Sequence, residues 1–268
     1  MAPEREEAGK PALTVAGLTD PGLVRTNNED YFGYYIPEDP RVLDQAGSLF
    51  AVSDGMGGAS AGEVASAEAV NVLLQEYYFS PRNLKAATRL KAAFDRTNAH
   101  IYRLANYHSS FNRMQCTLTV LLLRGKDYHI AHVGDSRAYL LRGGQLTALT
   151  KDHSLVGRME RLGVLSSEEA RQHPNRHVLT RSVGEAPIPR VDVISGRRLP
   201  ASLFFLATDG VTGVLSDEEL REFLLAPGAL ADRLAAIIME VNRRGGNDNA
   251  TVLAVEDDGE VHGYPGAR

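Results

Sequence analysis

The sequence predicts an α+β fold: a four-layer α-β-β-α sandwich of two antiparallel sheets with outer helices and an inserted flap. Three observations carry this. Three short strand-like segments precede two long segments of helical period, and the next strands are joined by tight turns at Arg124-Gly125 and Arg142-Gly143-Gly144. Strands also never alternate strictly with helices, as a doubly wound parallel sheet would require. Two antiparallel sheets can instead stack face to face, with helices covering their outer faces.

Leu13 to Leu18, Asp30 to Ile36 and Leu49 to Val52 read as strands, the last short and buried. Apolar residues then recur at helical spacing from Ala59 to Tyr78, after the glycines at 57 and 58, and again from Asn83 to Ala105. Cys116 to Leu123, Tyr128 to Val133 and Ala138 to Arg142 form an antiparallel meander. Residues 150–184 are polar and rich in His and Arg, with helices around Ser154 to Arg161 and from near Ser166. Having little to bury, this stretch reads as the flap. Leu203 to Ala207 is a buried strand, Ser216 caps a helix through about Leu225, Ala229 to Val241 is an amphipathic helix, and Thr251 to Val255 is a closing strand. Residues 1–12 and 257–268 read as flexible tails around one folded unit spanning 13–256.

The 268 residues suffice for a full hydrophobic core, and 43% apolar with 24% charged residues is ordinary globular composition. A net charge of -5 argues against a general nucleic-acid binder. Cys116 is the only cysteine, which rules out an intramolecular disulfide, and its apolar surroundings mark it as a small core residue. The charged N-terminus lacks a secretory apolar region and no apolar run reaches membrane-spanning length, so a soluble cytoplasmic protein is expected.

Two phrases repeat: an apolar run ending in Ser53-Asp54-Gly55 and another ending in Thr208-Asp209-Gly210, each placing an aspartate where a strand is expected to stop. Arg25-Thr-Asn-Asn-Glu29-Asp30, Gly134-Asp-Ser-Arg137 and Gly246-Asn-Asp-Asn249 sit likewise at the edges of apolar segments. Strand ends on a rigid sheet can aim several carboxylates at one point, and Mg²⁺ or Mn²⁺ take oxygen ligands.

Together with Asp54-Gly-Met-Gly-Gly58, Gly62-Glu63 and Leu179-Thr-Arg-Ser-Val-Gly184, these motifs fall in the order found in the metal-dependent PPM, or type-2C, family of protein serine/threonine phosphatases, and the chain resembles its bacterial form. The resemblance implies two core Mn²⁺ or Mg²⁺ ions. Asp54 would bridge them, the Gly55 carbonyl would add a ligand to one, and Asp209 and Asp248 would complete the other. Glu29 and Asp30 would act mainly through metal-bound water, and Asp135 would share a third, weaker ion with Asp209. Arg25 would grip the substrate phosphate through two parallel N–H contacts, a geometry lysine does not reproduce. Asn249 would orient its neighbours. Such a centre suits the reaction, because phosphate monoester hydrolysis needs accelerations of up to about 10²¹ and general base catalysis supplies only about 10²–10⁴. The implied partners are phosphorylated proteins and a bacterial Ser/Thr kinase, with the chain acting as a monomer.

Each motif has a plainer reading. An Asp-Gly pair is commonly a turn, and Asp135-Ser136-Arg137 fits a hairpin with a local ion pair. His153 and His177 read as solvated loop residues rather than ligands. Gly55-Met-Gly57 lacks the third glycine of a dinucleotide fingerprint, which has Ser60 in its place. Met56 stands where many eukaryotic members carry a histidine thought to protonate the leaving alkoxide, and Gln115-Cys116-Thr117 departs from the family pattern, which suggests altered packing beneath the site. The rival function is a regulatory pseudo-phosphatase that binds a phosphoprotein without turnover.

Overall fold

The computed structural model describes residues 13–57, 61–79, 84–108, 111 and 113–258. The expected tails, apart from residues 257 and 258, lie outside the described residues, as do Gly58, Ala59, Ser60 and Asn83.

Two antiparallel sheets form the centre. One has the order β1 (Leu13–Asp20), β11 (Ala250–Asp257), β10 (Ser202–Ala207), β7 (Arg137–Arg142) and β8 (Gln145–Ala148). The other runs β2 (Asp30–Tyr35), β3 (Ser48–Met56), β5 (Leu118–Arg124), β6 (Asp127–Val133) and β9 (Asp192–Arg197), with the two-residue β4 (Gln115–Cys116) paired to the end of β3. Helices α2 (Ala61–Phe79) and α3 (Ala86–Tyr107) cover the second sheet, while α7 (Asp217–Leu225) and α8 (Leu230–Arg243) cover the first.

Three slabs of apolar side chains separate these four layers. Phe50, Val52, Leu121 and Ile130 meet Phe204, Leu206, Leu253 and Val255 between the sheets. Leu49 and Ala51, the alternate residues of β3, face α2 and α3, and Phe205 and Ala207 of β10 face α7 and α8. Side chains alternate between faces along a strand. A strand in the middle of this sandwich is therefore apolar on both faces, which explains the unbroken apolar runs before Asp54 and Asp209. The small residues Ala61, Ala65 and Ala69 let α2 lie close to the sheet.

The structure corrects several boundaries. β3 continues past Val52 to Met56, so Asp54 lies inside a strand and not at its end. The predicted meander is divided between the sheets: β5 pairs with β6 and β7 with β8, but β7 crosses over to pair with β10. Helix α1 (Pro40–Ala46), capped by Asp39, strands β8 and β9, and the short helix α6 (Asp209–Thr212) were not anticipated. β11 runs through Asp257, where a tail was expected; its carboxylate is buried against Arg198. The flap contains α4 (Leu155–Arg161) and α5 (Ser167–Gln172), capped by Ser154 and Ser166.

Phe204 packs edge-on against Tyr128 across the inter-sheet core, with ring centroids 5.2 Å apart. Phe204→Ala should cost about 3–5 kcal/mol. It should appear as a lower denaturant midpoint with unchanged slope in equilibrium unfolding.

Candidate metal centre

The register of β2 on β3 places Asp30 directly opposite Asp54. Residues so paired project from the same face, and like charges in that position repel. Asp30 is buried, and Thr208 donates its hydroxyl to the Asp30 Oδ2 at 2.7 Å. Burial, worsened by Asp209 and Asp248 and relieved partly by the Thr208 and Thr251 hydroxyls, pushes the Asp30 carboxyl up to about 7. Burial and repulsion from Asp30, Asp209 and Asp135 hold Asp54 well above the usual carboxylate range. Thr117, in the break between β4 and β5, fixes the backbone there. Its amide donates to the Asp54 carbonyl at 2.8 Å and its hydroxyl accepts from the Asp54 amide at 2.9 Å.

Gly55 follows because nothing larger fits: a Cβ there would lie 1.9 Å from the Gly62 carbonyl oxygen. The Gly55 amide donates to the Glu29 carbonyl at 2.9 Å, tying the loop before β2 to β3. Glu29 is raised by burial, against the pull of Arg25.

Asp209 begins α6, immediately after β10. Gly210 beside it presses on the Asn249 carbonyl, 1.9 Å from where a Cβ would be. Burial pushes the Asp209 carboxyl up, but the His177 imidazole 3.8 Å away and a hydrogen bond with Asp54 outweigh it and hold it low. Asp135 lies in the turn where the chain crosses from β6 to β7. It is buried, and burial together with Asp209 and Asp152 keeps it well above its ordinary value.

Asp248 and Arg25 meet across two loops in a forked pair, Nε to Oδ1 at 2.9 Å and Nη2 to Oδ2 at 3.0 Å. Asn249 fastens those loops together. Its Oδ1 accepts from the Glu29 amide at 2.7 Å, and its Nδ2 donates to the Pro21 and Asn27 carbonyls at 3.0 and 2.8 Å. Two further amide donations, from Leu23 and Val24 to the Gly246 carbonyl, seal the same junction.

Arg25, Asp135, Asp209 and Asp248 line one cleft of about 800 Å³, whose opposite wall is the flap with Arg171, Arg176 and His177. Asp54 adjoins this lining through its hydrogen bond with Asp209, and Asp30 stands opposite Asp54 on the neighbouring strand. Among the described residues, no three His, Cys, Asp or Glu side chains already stand at a spacing that would share one ion. Arg25 holds Asp248, and His177 sits beside Asp209. Even so, the donor chemistry fits hard divalent cations: the chain gathers oxygen ligands, and repulsion holds protons on buried carboxylates that a cation would displace.

The profile of the family described as protein phosphatase 2C matches residues 25–248. The chain belongs to the protein phosphatase 2C family. It is 35% identical over 243 residues to a serine/threonine phosphatase stp of Listeria monocytogenes, covering 90% of this chain and 94% of that protein. Among solved structures it resembles the Mycobacterium tuberculosis serine/threonine phosphatase PstP/Ppp, with a TM-score of 0.79, 33% identity, and coverage of 91% of this chain and 98% of that one. A structure of the PstP catalytic domain in complex with two manganese ions aligns with a TM-score of 0.77 and 32% identity, over 91% of this chain and 97% of that one. These matches agree with the predicted family and with its two-sheet α+β architecture.

Other residues differ from the sequence reading. His153 is buried, not solvated: its Nδ1 accepts from the Gly134 amide at 3.2 Å and its Nε2 meets Asp192 at 3.1 Å. His177 is exposed, yet it stands at the cleft beside Asp209. The ion-pair partner of Arg137 is Asp152, through contacts of 2.9 and 2.7 Å, and not the adjacent Asp135. Gln115 accepts a hydrogen bond from Ser182 at 2.8 Å, so the family departure there tethers the flap. Thr117 and Thr208 were missed, because a threonine in an apolar run looks like an ordinary strand residue. Cys116 is buried, as expected, and burial raises its thiol to about 12.

A carboxyl raised on folding is stabilising while protonated, so the contribution of Asp30 is complete below about pH 4 and lost as pH rises through about 7. Between about pH 5.5 and about pH 8, EDTA-treated Asp30→Asn should gain about 2 kcal/mol relative to the EDTA-treated wild type. Chemical denaturation at the two pH values measures the difference. Mn²⁺ uptake near pH 6 should release protons, seen as a calorimetric enthalpy that varies with the ionisation enthalpy of the buffer.

Proposed function

We infer that this chain is a Mn²⁺- or Mg²⁺-dependent phosphatase that hydrolyses phosphoserine and phosphothreonine in proteins. The observation that carries this is the opposition of Asp30 and Asp54 on adjacent strands, next to a cleft that Asp135, Asp209, Asp248 and Arg25 line. Carboxylates gathered in such number, Asp30 and Asp135 of them buried and the others half-buried, call for cations. Asp54, the Gly55 carbonyl, Asp209 and Asp248 would hold the two core ions, with Glu29 and Asp30 reaching them through water and Asp135 with Asp209 holding a third. Ions at such a centre ionise a bound water and neutralise phosphoryl oxygens.

The chain's own residues contribute orientation. Arg25 stands exposed at the rim, its forked guanidinium already paired with a carboxylate and able to exchange it for a phosphate of similar shape. Asn249 and the Leu23–Gly246 contact hold the Arg25 and Asp248 loops in register. Met56 has no proton to give, so a leaving alkoxide depends on water. The flap forms one wall of the cleft, with Arg171 and Arg176 offering cationic contacts to a phosphorylated segment. A regulatory pseudo-phosphatase is the weaker reading, because the similar proteins are named serine/threonine phosphatases and one of them holds two manganese ions.

The family relationship supports a place opposite a bacterial Ser/Thr kinase in the cytoplasm, acting as a monomer. No helix among the described residues is long and apolar enough to cross a membrane.

Phosphothreonine peptide and p-nitrophenyl phosphate should be hydrolysed with Mn²⁺, and EDTA should abolish turnover. Asp209→Asn should lower kcat by about 100-fold or more with the fold intact by circular dichroism; wild-type-like turnover would remove Asp209 from the ligand set. Arg25→Ala should lower kcat/KM by about 10- to 100-fold, the worth of a charged hydrogen-bonded contact. A phosphotyrosine peptide or nucleotide hydrolysed clearly faster than phosphothreonine peptide would overturn the substrate assignment.

A further inference from the structure

Gly134 precedes Asp135 in a backbone conformation with φ of +115°, and a Cβ there would lie 2.5 Å from the Thr117 side chain. A turn of this kind is held by its neighbours. His153, at the root of the flap, takes both polar groups of Gly134. The His153 amide donates to the Gly134 carbonyl at 2.7 Å, and the Gly134 amide donates to the His153 Nδ1 at 3.2 Å. With Nδ1 accepting, the proton of the neutral ring resides on Nε2, which donates to the Asp192 Oδ2 at 3.1 Å; Arg181 Nη1, itself donating to the Asp192 Oδ1 at 2.9 Å, approaches the same Nε2 at 3.2 Å and makes no hydrogen bond to it in this tautomer. The His153 carbonyl accepts from the Thr180 amide at 2.7 Å, at the far end of the flap.

The other side of the turn is held as well. The Ser136 hydroxyl meets the Thr117 hydroxyl at 2.7 Å, and the Ser136 carbonyl accepts from Thr119 at 3.0 Å. Thr117 is the residue that clamps the Asp54 backbone. A continuous run of hydrogen bonds thus leads from Asp54 through Thr117 and Ser136 to the Asp135 turn, and through Gly134 to His153 and both strands of the flap base.

We propose that His153 is a positioning residue for the reaction: through Gly134 it sets the Asp135 carboxylate for its cation and ties that setting to the root of the flap. The inference rests on the reading of Asp135 as a ligand of the third ion. It assigns the sequence Asp152-His153-Ser154 a role beyond starting a helix, with Asp152 paired to Arg137 and Ser154 capping α4 around the same point.

The two halves of the imidazole separate by substitution. His153→Asn keeps an acceptor at the Nδ1 position and loses the donor to Asp192, whereas His153→Gln keeps a donor near Nε2 and loses the acceptor for Gly134. Mn²⁺ titration calorimetry on the full chain, with thermal unfolding alongside, compares both with wild type and Asp135→Asn. The expected result is that Asp135→Asn abolishes the weakest Mn²⁺ site and that His153→Gln weakens that same site by about 10- to 100-fold. His153→Asn should restore it to within a few-fold of wild type, even if its melting temperature is as low as that of the Gln variant. Equal Mn²⁺ affinity in wild type and His153→Gln, with the weak site lost in Asp135→Asn, would overturn the role of His153 alone. An Asp135→Asn protein that binds Mn²⁺ like wild type would instead remove Asp135 from the ligand set, and this inference with it.

Discussion

The molecule is organised around a repulsion. Two adjacent strands bring Asp30 and Asp54 face to face, the first buried and the second half-buried, where carboxylates would be neutralised by protonation or by a cation. Nothing about an isolated hairpin would hold this arrangement. It persists because β2 and β3 belong to a sheet buried on both faces, whose apolar contacts fix register: slipping by one residue would turn Phe50 and Val52 toward the helices and Leu49 and Ala51 toward the other sheet. The hydrophobic sandwich therefore maintains a polar arrangement that would not form by itself.

Threonine and asparagine side chains translate that frame into positions for individual atoms. Thr117 clamps the backbone of Asp54, Thr208 steadies the Asp30 carboxylate, and Asn249 joins the loops that carry Arg25, Glu29 and Asp248. Gly55 and Gly210 permit backbone approaches that any side chain would block. Arg25 meanwhile pairs with Asp248 and the His177 imidazole lies 3.8 Å from Asp209, so both acids already have a nitrogen neighbour at the surface of the cleft.

Much of this was legible in the sequence, for identifiable reasons. Long helices announced themselves by period, and Ser216 marked its helix through the capping pattern completed by Glu219. The carboxylates stood out because acids interrupt apolar runs. What escaped notice was short or depended on distant partners. Strands β8 and β9 carry few core residues, and α6 is a single turn. The crossing from β6 to β7 was hidden because the Gly134-Asp135 turn looks locally like a hairpin, and only pairing with β10 reveals the change of sheet. His153 was misjudged because its polar sequence neighbours suggested solvent, while its burial comes from Gly134, His132 and Asp192, all remote in the chain.

Cys116 completes the account of the interior. Its thiol is enclosed in β4 and has a raised pKa, so almost none of it exists as thiolate near neutrality. Thiolate is the nucleophile that attacks peroxides and disulfides. Reagents that require a thiolate therefore find no ready target at the single cysteine of this chain, in contrast to enzymes built on a cysteine nucleophile.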